Sequence, residues 1–184
     1  MQLQQRIDPL AEGVSGLPPL NIFRTLAHAE TSLRPALRLG QAILSAQQLD
    51  ARLRELAILR VARLTGAAYE WVQHVAIGLA VGVTDEQVAA LERGNAEAAC
   101  FDERERLVLR VTTEVVEERG TSEATLAAAL DAFSPREIVE LIVAAGFYQL
   151  LAALMNSVDI DLDEPAGTAV IDSAPSPPGG PPSR

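Results

Sequence analysis

Residues 52–74 read RLRELAILRVARLTGAAYEWVQH, and two helices meeting at Gly66 account for them. In the first half, Leu53, Leu56, Ala57 and Leu64 fall on one side of a 3.6-residue period. Ile58, Leu59 and Ala62 fall on another, so the segment is apolar on more than one face and belongs in an interior. Asp50 is suited to cap it, and Gly66 to end it by supplying a left-handed residue. Residues 67–81 make the partner helix, closing at Gly82.

Working outward, start and stop signals divide the rest of the chain in the same way. Asn21 to about Ala29 is a short helix, and Thr31 to Ala46 a second, with Pro35 tolerable only in its first turn. Thr84 with Gln87, and Asp102 with Glu105, are capping boxes. They open a short helix that stops before Gly94 and a long one that ends at Gly120. Ser122 begins another short helix. Ser134-Pro135-Arg136-Glu137 combines N-cap, N1 proline and N3 acid, and its helix runs to about Asn156, which is suited to satisfy a helix end. No alternating strand pattern competes, so the predicted class is all-α.

Composition agrees: 48% of the 184 residues are apolar and only 4% aromatic, a mixture that favours helices over strands. There are 15 arginines and no lysine, which excludes lysine Schiff-base chemistry and the standard P-loop and kinase machineries. The net charge of −10 repels phosphate backbones, so no nucleic-acid partner is expected. One cysteine, Cys100, excludes an internal disulfide, a Cys-x-x-Cys pair and a cysteine zinc site. Two histidines, His28 and His74, are too few for the common multi-histidine metal site within one chain. The polar N-terminus MQLQQRIDPLAEG lacks a signal-peptide core, and a cytoplasmic protein is expected.

Residues 1–19 read as an extended arm, 20–160 as the helical domain, and 165–184, rich in proline and glycine, as a disordered tail. Leu141–Met155 carries no charge, yet it falls short of the ~20 apolar residues of a membrane span. No membrane association is expected, and several helices this apolar in a small chain point to a homo-oligomer.

Glu70 and His74 are four apart and share a helical face. Glu55 projects from the preceding helix on the side of Leu59 and Ala62, so a hairpin across Thr65-Gly66 brings it to that face. A carboxylate beside an imidazole fixes its tautomer and makes a proton-transfer pair. The same spacing also fits a surface ion pair between Glu70 and His74, with Glu55 paired to Arg52 or Arg54.

The residues LRELAILRVARLTGAAYEW and His74 at 53–74 resemble the carboxymuconolactone decarboxylase-like family, which includes the alkyl hydroperoxidase D proteins. So do NIFRTLAH at 21–28, AVGVTDEQVAAL at 80–91 and FSPREIVELIVAAGFYQLLAALMN at 133–156. The resemblance covers roughly residues 20–160 and implies an alkyl hydroperoxidase D-like helical bundle assembled as trimers or hexamers. In the peroxidase branch a glutamate precedes a Cys-x-x-Cys-x-x-x-His run; here these positions are Glu55, Ala67, Glu70 and His74. The relay residues match and both sulfurs are absent, so thiol peroxidase chemistry is not expected.

The decarboxylase branch implies acid–base chemistry on a small organic acid or lactone without a cofactor. His74 would be acid or base, Glu55 its orienting partner and Glu70 a second proton carrier. Tyr69 and Trp71 would be pocket walls, His28 a neighbour of the pocket, and Arg52 or Arg63 the cation for a substrate carboxylate. His28 also fits a helix end and Trp71 a packing anchor, while Tyr148 and Gln149 face either the core or the pocket. Two other functions are compatible: an oxidoreductase acting without the thiol pair, and a non-catalytic binding or assembly subunit.

Overall fold

The computed structural model describes residues 20–167; the expected arm at 1–19 and the tail from 168 onward lie outside the described residues. Among these residues there are eight helices and no strand: α1 (Asn21–Leu26), α2 (Glu30–Ser45), α3 (Ala51–Thr65), α4 (Ala68–Ala80), α5 (Asp85–Glu92), α6 (Glu103–Glu117), α7 (Glu123–Ala132) and α8 (Pro135–Val158). The class is all-α, as predicted.

The caps explain the boundaries. Asp50 accepts from the amides of Arg52 and Leu53, and Gly66 closes α3 in the left-handed region at φ 68°. Thr84/Gln87, Asp102/Glu105 and Ser134/Glu137 all form complete capping boxes. Where no side chain caps the helix, the ends shift: α1 stops at Leu26 and α2 opens at Glu30. Pro35 therefore lies beyond the first turn of α2, and the helix continues through it without the backbone bond to Thr31.

α3 is the axis of the molecule. Every residue from Leu53 to Ala62 is buried, because α4, α6 and α8 all pack against it. One apolar cluster joins α3 to α5, α6 and the start of α8 through Leu56, Leu59, Leu91, Leu109 and Leu141. A second joins Ile43 of α2 to Ile58 and Val61 of α3 and to Ala144 and Tyr148 of α8. The Asn156 amide donates to the Thr65 carbonyl at 2.8 Å, satisfying the end of α3.

α8 is not buried all round. Ala144, Ala145, Tyr148, Ala152 and Met155 face the core, whereas Val139, Ile142, Val143 and Leu150 are 36–59% exposed. Of the helices in the described residues, α8 alone has the length and apolarity to cross a membrane.

After α8 the chain turns back along α4. The Asp163 carboxylate accepts from the backbone amide of Asn21 and from the Tyr69 hydroxyl, each at 2.6 Å. Gln73 donates to the carbonyls of Asp163 and Glu164 and accepts from the amide of Ala166. The first residues of the expected tail are thus docked through Ala166.

Candidate active site

The hairpin across Gly66 lays α4 antiparallel to α3, and Glu55 meets His74. Nδ1–H of His74 donates to Glu55 Oε2 at 2.8 Å, with both residues buried. In the neutral ring that bond assigns the tautomer, because a carboxylate only accepts, and Nε2 is then the nitrogen without the proton. The other oxygen of Glu55 accepts from Arg54 Nε at 3.1 Å, also in the interior. Glu55 thus takes both partners that the sequence allowed it, an arginine and an imidazole.

Glu70 lies one turn before His74 on the same helix and is 2% exposed. Neither of its carboxyl oxygens has a hydrogen-bond partner among the described residues. Burial, with the charge of Glu55 added, pushes this carboxyl well above the ordinary carboxylate range. It is therefore a neutral acid where an exposed glutamate would be charged.

The fifth member comes from α8. Tyr148 stands edge-on to the His74 ring, with centroids 4.7 Å apart. Burial, then the charge of Glu55, pushes its phenol well above its ordinary value, and Arg54 opposes them. The site thus joins Arg54 and Glu55 of α3, Glu70 and His74 of α4, and Tyr148 of α8.

The remaining candidates from the sequence sit elsewhere or are engaged in packing. Tyr69 turns into the cluster of Leu20, Ile22 and Met155, where its hydroxyl is bonded to Asp163. Arg52 binds the carbonyl of Gly82 and the side chain of Gln87, and it ion-pairs with Glu105. Arg63 donates to the Glu92 carbonyl at 2.7 Å. Trp71 is half-buried against the main core. With Arg63, Ala67 and Glu92 it also lines an open depression of about 300 Å³ at the α3–α4 corner. His28 is exposed in the turn after α1.

Sequence reasoning did not single out Arg54 as a site residue and left Tyr148 open. A signal for Arg54 existed: it is a charge one residue into a run of buried apolar positions. Among the described residues, no three His, Cys, Asp or Glu side chains cluster so as to hold a metal ion.

A model of the carboxymuconolactone decarboxylase family matches residues 31–114, which span α2 to most of α6 and so contain the α3–α4 hairpin. No curated protein matches the sequence. Solved structures share the fold at low identity. An uncharacterised peroxidase-related protein from Silicibacter superposes with a TM-score of 0.73 at 16% identity, covering 89% of this chain and 95% of its own. The alkylhydroperoxidase AhpD core of a peroxidase-related protein from Ralstonia eutropha gives 0.68 at 18%, covering 84% and 82%. The debrominase Bmp8, solved as a cysteine-to-alanine variant with 2,3,4-tribromopyrrole, gives 0.73 at 15%, covering 92% and 97%.

Proposed function

We propose that the chain, whose residues 31–114 match the carboxymuconolactone decarboxylase family, is a cofactor-independent acid–base enzyme of that kind, a decarboxylating lyase or an isomerase. Its substrate is a small organic acid or lactone. The observation that carries this reading is the buried bond from His74 Nδ1 to Glu55, which leaves Nε2 free to exchange a proton.

In a decarboxylation the bond between carbon and the departing carboxylate breaks and carbon dioxide leaves. The electron pair passes into a conjugated carbonyl as an enolate, and a proton then closes the new C–H bond. Glu70 supplies the proton, because a carboxyl that burial keeps protonated has a proton to give a carbanion and an ionised carboxylate has none. Glu70, left as a carboxylate, takes a replacement proton from water by way of His74 Nε2, and Glu55 holds the imidazole in register. Isomerisation needs the same two proton sites without loss of carbon dioxide.

Against thiol peroxidase chemistry stands the absence of sulfur. The positions that carry cysteines in the peroxidase branch are Ala67 and Glu70, and Cys100 lies in the loop before α6. The debrominase of the same fold is bound to a small planar ring, the size of substrate proposed here.

We also infer a cytoplasmic homo-oligomer, trimeric or hexameric, with the outer stripe of α8 covered by a second copy. What supports it is that Val139, Ile142, Val143 and Leu150 lie exposed along one face, while a chain of net charge −10 is repelled by an anionic lipid surface.

Steady-state kinetics on a panel of carboxylated lactones test the function. Turnover without added metal or cofactor is expected, falling about 10²–10⁴-fold in His74→Ala. Full turnover in that variant on a confirmed substrate refutes the assignment.

A further inference from the structure

Arg54 is 4% exposed, yet only its Nε makes a hydrogen bond, to Glu55. Neither terminal nitrogen finds a partner among the described residues. A guanidinium carries five N–H donors in a planar fork, so four are left for another partner. The arginines suggested by the sequence differ in this respect. Arg52 is 32% exposed at its side chain and bound to Gln87 and Glu105, and Arg63 is bound to Glu92.

The groups around Arg54 share its condition. The Tyr148 hydroxyl makes no hydrogen bond among the described residues, and it lies within the field of Arg54, Glu55 and Glu70. His74 Nε2 is free in the same way, and both Glu70 oxygens are bare. Formal charges cancel between Arg54 and Glu55, and Glu70 is neutral. The constellation therefore offers one fork-shaped cation, a phenol, an imidazole nitrogen and a carboxylic acid with no internal anion to occupy them all.

We propose that Arg54 binds the substrate's acidic group: the ligand is a small carboxylic acid whose carboxylate takes the two terminal nitrogens of Arg54, beside Tyr148 and His74. This rests on the acid–base reading and adds to it which residue selects the substrate. A cation clamped on a departing carboxylate would stabilise the ground state and oppose its loss. In a decarboxylation Arg54 accordingly holds an acidic group that the product keeps.

The test is binding of a panel of small unsaturated and aromatic carboxylic acids and carboxylated lactones, each paired with its neutral methyl ester. Binding is measured by calorimetry and by the fluorescence of Trp71, the single tryptophan. Acids are expected to bind at least tenfold more tightly than their esters. Arg54→Gln abolishes the preference, and Arg54→Lys keeps part of it, since a point charge attracts a carboxylate but does not match it bidentately.

Because Arg54→Gln leaves Glu55 with one partner fewer, its folding is checked by circular dichroism. The acid–ester comparison in the unmodified protein and the Arg54→Lys variant stand whether or not it folds. Equal binding of acids and esters, no binding by any member, or an acid preference that survives Arg54→Gln overturns the proposal. His74→Ala separates it from the catalytic reading. Acid binding that depends on Arg54 with no turnover in the unmodified protein sinks the chemistry and keeps the anchor. Turnover of esters that depends on His74 does the reverse.

Discussion

Replacing Glu70 by glutamine keeps the shape of a buried carboxyl and removes its titration. In the folded protein Glu70 resists ionisation, because the charged form would sit in the interior, facing Glu55, with no hydrogen bond to either oxygen. In the unfolded chain it ionises near its ordinary value of 4.5. Between that value and the raised native one, the folded state holds a proton that the unfolded state has lost. The slope of unfolding free energy against pH is therefore negative over this window. Glu70 makes the protein less stable as pH rises, by about 1.4 kcal/mol per pH unit.

Because Glu70 is buried, solvent screening does little to reduce that slope. Glu70→Gln removes it. Urea unfolding of both proteins at pH 5, 6, 7 and 8, at one protomer concentration, should show the variant gaining on the parent by about 1.4 kcal/mol per pH unit until Glu70 ionises in the parent. Other carboxyls are common to both chains and cancel in the difference. Parallel curves would refute the reasoning, since Glu70 would then ionise in the fold as an exposed glutamate does. A variant that is more stable at pH 8 yet slower in turnover is the signature expected of a group kept for chemistry rather than for stability.

Two further predictions follow from other parts of the molecule. Desolvation, with Glu86 nearby, raises the Cys100 thiol above its ordinary value. Its reaction with iodoacetamide at pH 7.5 should be slower than that of free cysteine, and peroxide consumption should be the same in Cys100→Ser as in the parent; a fast thiol or a lost activity contradicts this. On α8, the pair Val139→Asp and Leu150→Asp should reduce the assembled mass in light scattering while leaving the helical circular dichroism intact, because both side chains lie more than half exposed on the outer stripe. Unchanged mass would place the subunit contact elsewhere.

Much of this fold was legible because its helix ends are written in side chains. Asp50, Thr84, Asp102 and Ser134 each accept the amide that their spacing predicted. Leu20, Ala29 and Ala67 cap nothing with their side chains; α1 still opens at Asn21 as expected, and near Ala29 the expected end of α1 and start of α2 slipped. The meeting of Glu55 and His74 could be read for a related reason: a glycine turn between two helices leaves one antiparallel arrangement, and periodicity then says which residues face.

Tyr148 could not be read this way. It reaches His74 from α8, across a contact between segments more than 70 residues apart, and spacing along one helix carries no information about that. The arginines were misjudged for a different reason. Arg52, Arg54 and Arg63 look alike as letters. What separates them is how many donors each has already spent, and only the surrounding carbonyls and carboxylates decide that.

The return of the chain along α4 has a consequence for the order of events during synthesis. Tyr69 and Gln73 are made early, but the carboxylate and carbonyls that bind them, at Asp163 and Glu164, emerge about 90 residues later. Until then the ridge beside Glu70 and His74 has bare donors, and the hairpin is unfinished on that flank. An expression boundary drawn where α8 ends, at Val158, would freeze the molecule at that stage. It would keep the eight helices of the described residues and lose the clasp that steadies the acid–base pair.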